Sequence, residues 1–303
     1  MRVLIVGCGY VGRPLGAELA RQGHEVFGVR RSAAASAELE AAGIRPLVAD
    51  VTVAATLTPL PGPWDWVVNC VSSAGGGAED YRRVYLEGTK SLLRWLADRP
   101  PRKFVYTSST SVYGQTDGAL VKETAPTEPL LETGRILVET ENVLLAAARQ
   151  RGFPAVILRV AGIYGPGRGH LLKQFLKNEA RLDGAGERYL NMIQRDDVVG
   201  AIIAALQGAR PGEVFNAVDD EPVTQTTYFR WLAEELGKDL PPSAPEEPDA
   251  ARKRGATNKR ISNRKLKMEL GCQFKYPNFR KGFSAEIQRL LEAGELPIAP
   301  APR

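Results

Sequence analysis

Residues 3–12 read VLIVGCGYVG, a short β-branched apolar run that ends in glycines at positions 7, 9 and 12. A run of that length and composition is a buried strand, and it leads through the glycines into a helix-length segment. A strand feeding a glycine turn and then a helix is the opening unit of a dinucleotide-binding sheet. Gly7 permits the tight turn, Gly9 lets the backbone approach a pyrophosphate, and Gly12 lets the helix pack close to the strand. Tyr10 and Val11 lie between them, where the free N–H groups of a helix start would face the phosphates. The alternative is a plain strand–turn–helix with incidental glycines; the position of the loop, its flanks and the strand that follows argue against it.

The second strand ends at Arg30-Arg31-Ser32, where an NAD-preferring site carries an acidic residue for the ribose hydroxyls. Two guanidiniums and a hydroxyl suit a 2′-phosphate through charge-assisted hydrogen bonds. NADP is therefore expected, with NAD as the other option. Asp50, at the end of the third strand, is a candidate for the adenine amino group and equally a turn or cap residue. Cys70 and Val71 close the fourth strand beside the cofactor path, and Cys70 reads as a small apolar residue, since no activating histidine is near it in sequence.

From the glycine loop outward, strand-like runs at 3–6, 26–29, 46–49, 66–69, 104–107, 156–160 and 214–217 alternate with amphipathic helix-length segments such as 79–99 and 135–149. That rhythm predicts a Rossmann-type, doubly wound α/β fold: a parallel sheet covered on both faces, with a smaller C-terminal substrate lobe. The expected division is a dinucleotide-binding domain at 1–160, a mixed substrate-binding lobe at 161–293 with one late strand near 213–218 returning to the sheet, and a frayed tail at 294–303. Prolines at 241, 242, 245 and 248 mark an exposed connection inside the lobe. The 303 residues, 44% hydrophobic, can fill such a core.

Composition narrows the class further. No apolar run approaches the length of a membrane span, and Met1 to Val6 reads as a strand rather than a signal peptide, so a soluble, cytoplasmic protein is expected. Three cysteines without metal-ligand spacing and only two histidines give no disulfide framework and no metal site. The net charge of +5 is modest and gathers at 252–267, in Arg252, Lys253, Arg254, Lys259, Arg260, Arg264, Lys265 and Lys267. No aromatic residue interleaves this segment, which argues against nucleic acid and leaves a solvated surface or a grip on a phosphate-bearing substrate by Asn258, Lys259, Arg260, Asn263 or Lys265.

Taken together, GCGYVG at 7–12, YTSSTSVYG at 106–114, RVAGIYGPG at 159–167 and NMIQRDDVVGAI at 191–202 resemble the extended short-chain dehydrogenase/reductase family, which includes sugar-nucleotide epimerases and dehydratases. The resemblance runs over roughly residues 1–290. It implies a Ser, Tyr and Lys that do the chemistry: the Tyr phenol as acid or base, the Lys lowering its pKa and holding the nicotinamide ribose, the Ser orienting the substrate oxygen. Ser109 matches the Ser, with Ser111 a second candidate. The Tyr and Lys positions fall on Thr133 and Leu137. An aliphatic hydroxyl is far less acidic than a phenol, and Leu137 offers neither charge nor hydrogen bond, so the chain resembles the atypical subgroup that lacks the pair.

On the substrate side, the resemblance places Arg159 and the loop at 165–169 on the cleft wall, with Tyr164, Arg168, Asn191 and Lys259 as candidates for substrate contact. Asp197 reads as an N-cap or structural anchor. Family members pair through helices like those at 79–99 and 135–149, which makes a homodimer an expectation. Two functions follow: an NAD(P)-dependent oxidoreductase or epimerase-like enzyme acting on a hydroxyl or carbonyl compound, in one version a nucleotide sugar, or a catalytically silent NADP(H)-binding sensor or regulatory protein.

Overall fold

A computed structural model of the chain describes residues 1–73, 75–244 and 257–296. Its centre is the parallel sheet that the alternating pattern predicts. Strands β1 (Arg2–Val6), β2 (Glu25–Arg30), β3 (Arg45–Val48), β4 (Trp66–Asn69) and β5 (Lys103–Ser109) form most of it, joined by helices α1 (Gly12–Arg21), α2 (Ser36–Ala41), α3 (Ala78–Tyr81) and α4 (Gly88–Trp95). Between α3 and α4 the helix runs through a wider π-type stretch, Arg82–Glu87. The chain continues through β6 (Ala119–Val121), α5 (Glu132–Arg151), β7 (Ala155–Val160), β8 (Gly162–Tyr164), α6 (His170–Leu176), β9 (Leu182–Asp183), β10 (Tyr189–Leu190), β11 (Met192–Gln194) and α7 (Arg195–Gly208). It closes with β12 (Val214–Ala217), β13 (Val223–Thr224), α8 (Gln225–Leu236), β14 (Ser243–Ala244), β15 (Lys259–Ile261), α9 (Arg264–Leu270) and α10 (Phe279–Glu292).

Seven strands make the main sheet in the order β12-β7-β5-β4-β1-β2-β3, all parallel. Every residue of β4 and β7 is buried, as expected of strands covered on both faces. Two apolar clusters share the work, one on each face: Val3 and Ile5 belong to one and Leu4 and Val6 to the other, as the two-residue period of a strand dictates. A third cluster, around Tyr164, Phe175, Tyr228, Phe229, Phe279 and Phe283, is the core of the lobe formed after β8.

The strand order fixes where a ligand can sit. Running outward from β1, the chain goes one way to β2 and β3 and the other way to β4 and β5, so the crevice between the loops after β1 and β4 is the topological switch point. These two loops touch: Gly7 has a φ of +83°, and a Cβ there would come within 2.6 Å of the Val71 nitrogen. Gly7 is thus needed for its backbone angle and for the space its missing side chain leaves.

Candidate functional site

The glycine loop turns sharply. Gly9 N–H donates to the Gly7 carbonyl at 2.7 Å, and α1 then starts with Arg13 N–H donating to the Gly9 carbonyl at 2.9 Å. Among the described residues the N–H groups of Tyr10 and Val11 have no acceptor, and no side chain caps the helix. The loop therefore presents unfilled donors at the positive end of a ten-residue helix. A Cβ on Gly9 would have only Arg30 Nη1, at 3.5 Å, and the Gly7 carbonyl, at 3.9 Å, within 4 Å, so the approach to these donors is open. A Cβ on Gly12 would collide with the Gly7 carbonyl at 2.8 Å and meet Ile5 at 3.0 Å, so here the glycine is required for helix–strand packing.

At the end of β2, Arg30 Nη1 donates to the Cys8 carbonyl at 2.9 Å. One nitrogen is spent on holding the loop, and the guanidinium is fixed beside Gly9. Arg31 and Ser32 are exposed on the same rim. The nearby acid Glu38 is committed elsewhere, to Arg13. Asp50 serves its turn: Oδ1 accepts from both the N–H and the hydroxyl of Thr52 at 2.8 Å. Cys70 Sγ lies 3.7 Å from the Gly7 carbonyl, and burial pushes its thiol well above the usual range. Burial likewise pushes Cys8 up to about 12, which disfavours the reactive thiolate at both positions.

Ser109 ends β5 and starts a single 3₁₀ turn, where its Oγ accepts from Ser111 N–H at 3.2 Å. Accepting that bond leaves the Ser109 hydroxyl proton available to donate. The start of α5 packs on this turn: a Cβ on Gly134 would lie 2.9 Å from the Ser111 carbonyl. That contact seats the first turn of α5, which carries Thr133, against the turn that follows β5. Leu137, one turn further along α5, points into the sheet core at 3% exposure and belongs to the same cluster as Val112, Tyr113, Leu158 and Val160. The two nearby tyrosines are not substitutes for a catalytic phenol. Tyr113 Oη accepts from Arg159 at 2.7 Å and donates to Asn216 Oδ1 at 2.8 Å in the core, and burial raises its pKa. Tyr164 stacks on Phe283 at 4.1 Å with its Oη buried and unpartnered, and burial drives the phenol far above its usual value.

Several expected substrate contacts turn out to be engaged elsewhere. Arg159 does not line the cleft: it is buried and pairs with Glu141, Nη2 to Oε2 at 2.7 Å. Both ends of the Asn191 amide are taken by β15, Nδ2 donating to the Lys259 carbonyl at 2.9 Å and Oδ1 accepting from Ile261 N–H at 2.7 Å. Arg168 is exposed and lies over the Tyr10 ring, 4.3 Å from its centroid. Lys259 is buried, donates to the Tyr113 carbonyl at 2.9 Å and the Thr257 hydroxyl at 2.6 Å, and is pushed down to about 8 by desolvation. Asn258, Arg260, Asn263 and Lys265 are likewise bonded to Tyr189, Gly118, Val218 and Val214, so the expected phosphate grip is a seam that ties the C-terminal segment down. Arg252, Lys253 and Arg254 lie outside the described residues. Asp197 is an anchor rather than a cap, accepting from Lys275 N–H at 2.6 Å and Tyr276 N–H at 3.0 Å, while Gln194 caps α7.

Two further features bear on the site. Among the described residues, no helix is long and apolar enough to cross a membrane, and no group of three His, Cys, Asp or Glu side chains is placed to hold a metal. Residues 3–217 match the model of the NAD dependent epimerase/dehydratase family. The chain belongs to that family. Within it, the chain is 31% identical over 283 residues to Protein YeeZ of Escherichia coli K12, covering 91% of this chain and 97% of that protein. A solved structure of a functionally unknown conserved protein from Silicibacter pomeroyi DSS is also 31% identical, with a TM-score of 0.78 over 95% of this chain and 98% of its own. DesIV of Streptomyces venezuelae, a dTDP-glucose 4,6-dehydratase solved with NAD and TYD bound, superposes with a TM-score of 0.83 over 96% of this chain and 97% of its own; at 22% identity it shares the fold.

What the sequence did not reveal is that Arg159 belongs to a buried network behind Ser109. Ser108 Oγ donates to Glu141 at 2.6 Å, Glu141 pairs with Arg159, Arg159 donates to Tyr113, and Tyr113 to Asn216, whose own N–H donates to Glu123 at 2.9 Å. The signal for it was present: Glu141 is an acid in the stripe Leu137, Glu141, Leu144 of α5, the face that packs on the sheet.

Proposed function

We propose that this chain is an NADP-dependent oxidoreductase or epimerase-like enzyme that acts on a hydroxyl or carbonyl group, with a nucleotide sugar as the favoured substrate class, and that it works without a Tyr–Lys pair. The observation that carries the reading is the rim around Gly9: uncapped N–H donors at Tyr10 and Val11 next to an arginine fixed by the Cys8 carbonyl. In this reading Gly7, Gly9, Tyr10, Val11 and Gly12 form the diphosphate cradle, Cys70 and Val71 its far wall, and Arg30, Arg31 and Ser32 take the 2′-phosphate. Asp50 keeps its turn role there. Membership of a family of NAD-dependent enzymes supports a dinucleotide at this place, and NADP rather than NAD rests on the arginines. The cofactor, when bound there, would supply hydride as NADPH or accept it as NADP⁺.

Ser109 is the group assigned to the substrate oxygen, with Ser111 beside it. Its hydroxyl proton is free to polarise a carbonyl, as the oxyanion donors of other enzymes do. Thr133 has no acidity to match a phenol and does not take its place. The sensor reading also has its own support, in the core packing of Leu137 where a catalytic lysine would stand. Purified protein carrying NADPH, mixed with a panel of nucleotide sugars and small carbonyl compounds, separates the two. The enzyme reading expects loss of NADPH absorbance or epimerised product with at least one panel member, reduced about 100-fold in Ser109→Ala. Tight NADPH binding with no turnover across the panel would instead establish the sensor.

A further inference from the structure

Arg168 comes from the lobe, yet its guanidinium rests on the glycine loop. Its Cζ is 4.3 Å from the centroid of the Tyr10 ring, and Arg195 stands over the same ring at 5.4 Å. The turn that carries Arg168 is rigid, since Gly165 N–H donates to the Arg168 carbonyl at 3.1 Å and Arg168 N–H donates back at 2.8 Å. It is also pressed onto the loop: a Cβ on Gly165 would lie 3.2 Å from Tyr10 Oη, a buried hydroxyl without a partner. Of the charges around Tyr10, Arg195 is neutralised by Asp196 at 2.9 Å, and Glu286 by Arg289 at 2.9 Å. Arg168 is exposed and makes no ion pair among the described residues.

An exposed guanidinium held on an aromatic face keeps its donor edge available for an anion. The loop under it offers the unfilled N–H groups of Tyr10 and Val11. We propose that Arg168 is a ligand of the cofactor diphosphate, reaching from the lobe so that the bound dinucleotide fastens the lobe to the glycine loop. The inference rests on the NADP reading of the loop. It moves Arg168 from the substrate to the cofactor, and it gives Tyr10 a role as the platform that aims it.

Calorimetric titration with two fragments tests this. 2′-Phospho-ADP-ribose contains the diphosphate; adenosine 2′-monophosphate does not. Arg168→Met should weaken binding of the first about 10- to 100-fold, the loss of one charge-assisted pair, and leave the second unchanged. Arg168→Lys, which keeps the charge, should recover much of the loss, whereas a packing role would leave Lys no better than Met. Equal affinity of Arg168→Met and the unaltered protein for 2′-phospho-ADP-ribose, or an equal loss for both fragments, overturns the proposal. If the unaltered protein binds neither fragment, the NADP reading itself falls, and the diphosphate role with it.

Discussion

Arg159→Met is expected to lower the stability of this protein by about 3–5 kcal/mol, as measured by urea unfolding. Arg159 and Glu141 are 5% and 2% exposed, and three of their contacts lie between 2.7 and 3.2 Å. Coulomb attraction in such a place only roughly offsets the cost of removing both charges from water, so the pair as a whole adds little. Taking away one member is different. Glu141 would keep a buried carboxylate with the Ser108 hydroxyl as its remaining donor, and Tyr113 Oη would lose the guanidinium that donates to it. The double change Glu141→Leu with Arg159→Met should therefore recover most of the loss. A double variant no more stable than Arg159→Met alone would mean that the pair is a net source of stability, contrary to this account.

Leu137→Lys, which puts a lysine where the sequence resemblance expects one, is expected to cost about 3–5 kcal/mol and to lower the melting temperature by about 5–8 °C. At 3% exposure within an apolar cluster, the new ammonium must either lose its hydration without a counter-ion or give up its proton. The penalty would hold with Thr133→Tyr added, because a neutral phenol supplies no opposite charge. A melting temperature within a degree or two of the unaltered protein would show that the side chain escapes to the cleft. The core position of Leu137 would then no longer stand between this chain and the usual chemistry.

The sheet was legible because its signals are local. A β-branched run, a glycine turn and a helix start stand side by side in residues 3–12, and the later strands repeat the apolar half of that pattern. The late strand at β12 could be read for the same reason. The destinations of polar side chains were not local. Arg159 and Glu141 are 18 residues apart, Tyr113 and Asn216 are 103 apart, and whether a charge at a strand end faces a cleft or the core depends on what packs over it. A lone acid in the apolar stripe of α5 was the usable clue that its partner would be buried. The surroundings of Asn191, Lys259 and Arg168 were hidden in another way. Each has a partner distant in sequence: β15 for Asn191, the Tyr113 carbonyl for Lys259 and the Tyr10 ring for Arg168. The short strands of the lobe, two residues long at β9, β10, β13 and β14, carry no periodicity that a sequence could display.

The central claim is that the loop after β1 holds a dinucleotide whose 2′-phosphate is read by the arginines at the end of β2. Equilibrium titration of NADPH and NADH, followed by protein or cofactor fluorescence, tests it directly, with Arg30→Asp combined with Arg31→Ser as the comparison. The account predicts that the unaltered protein binds NADPH at least about tenfold more tightly than NADH, and that the double variant loses NADPH affinity by about 100-fold while holding its NADH affinity within a few-fold. Equal affinity for the two cofactors in the unaltered protein, or an equal loss of both in the variant, would contradict it.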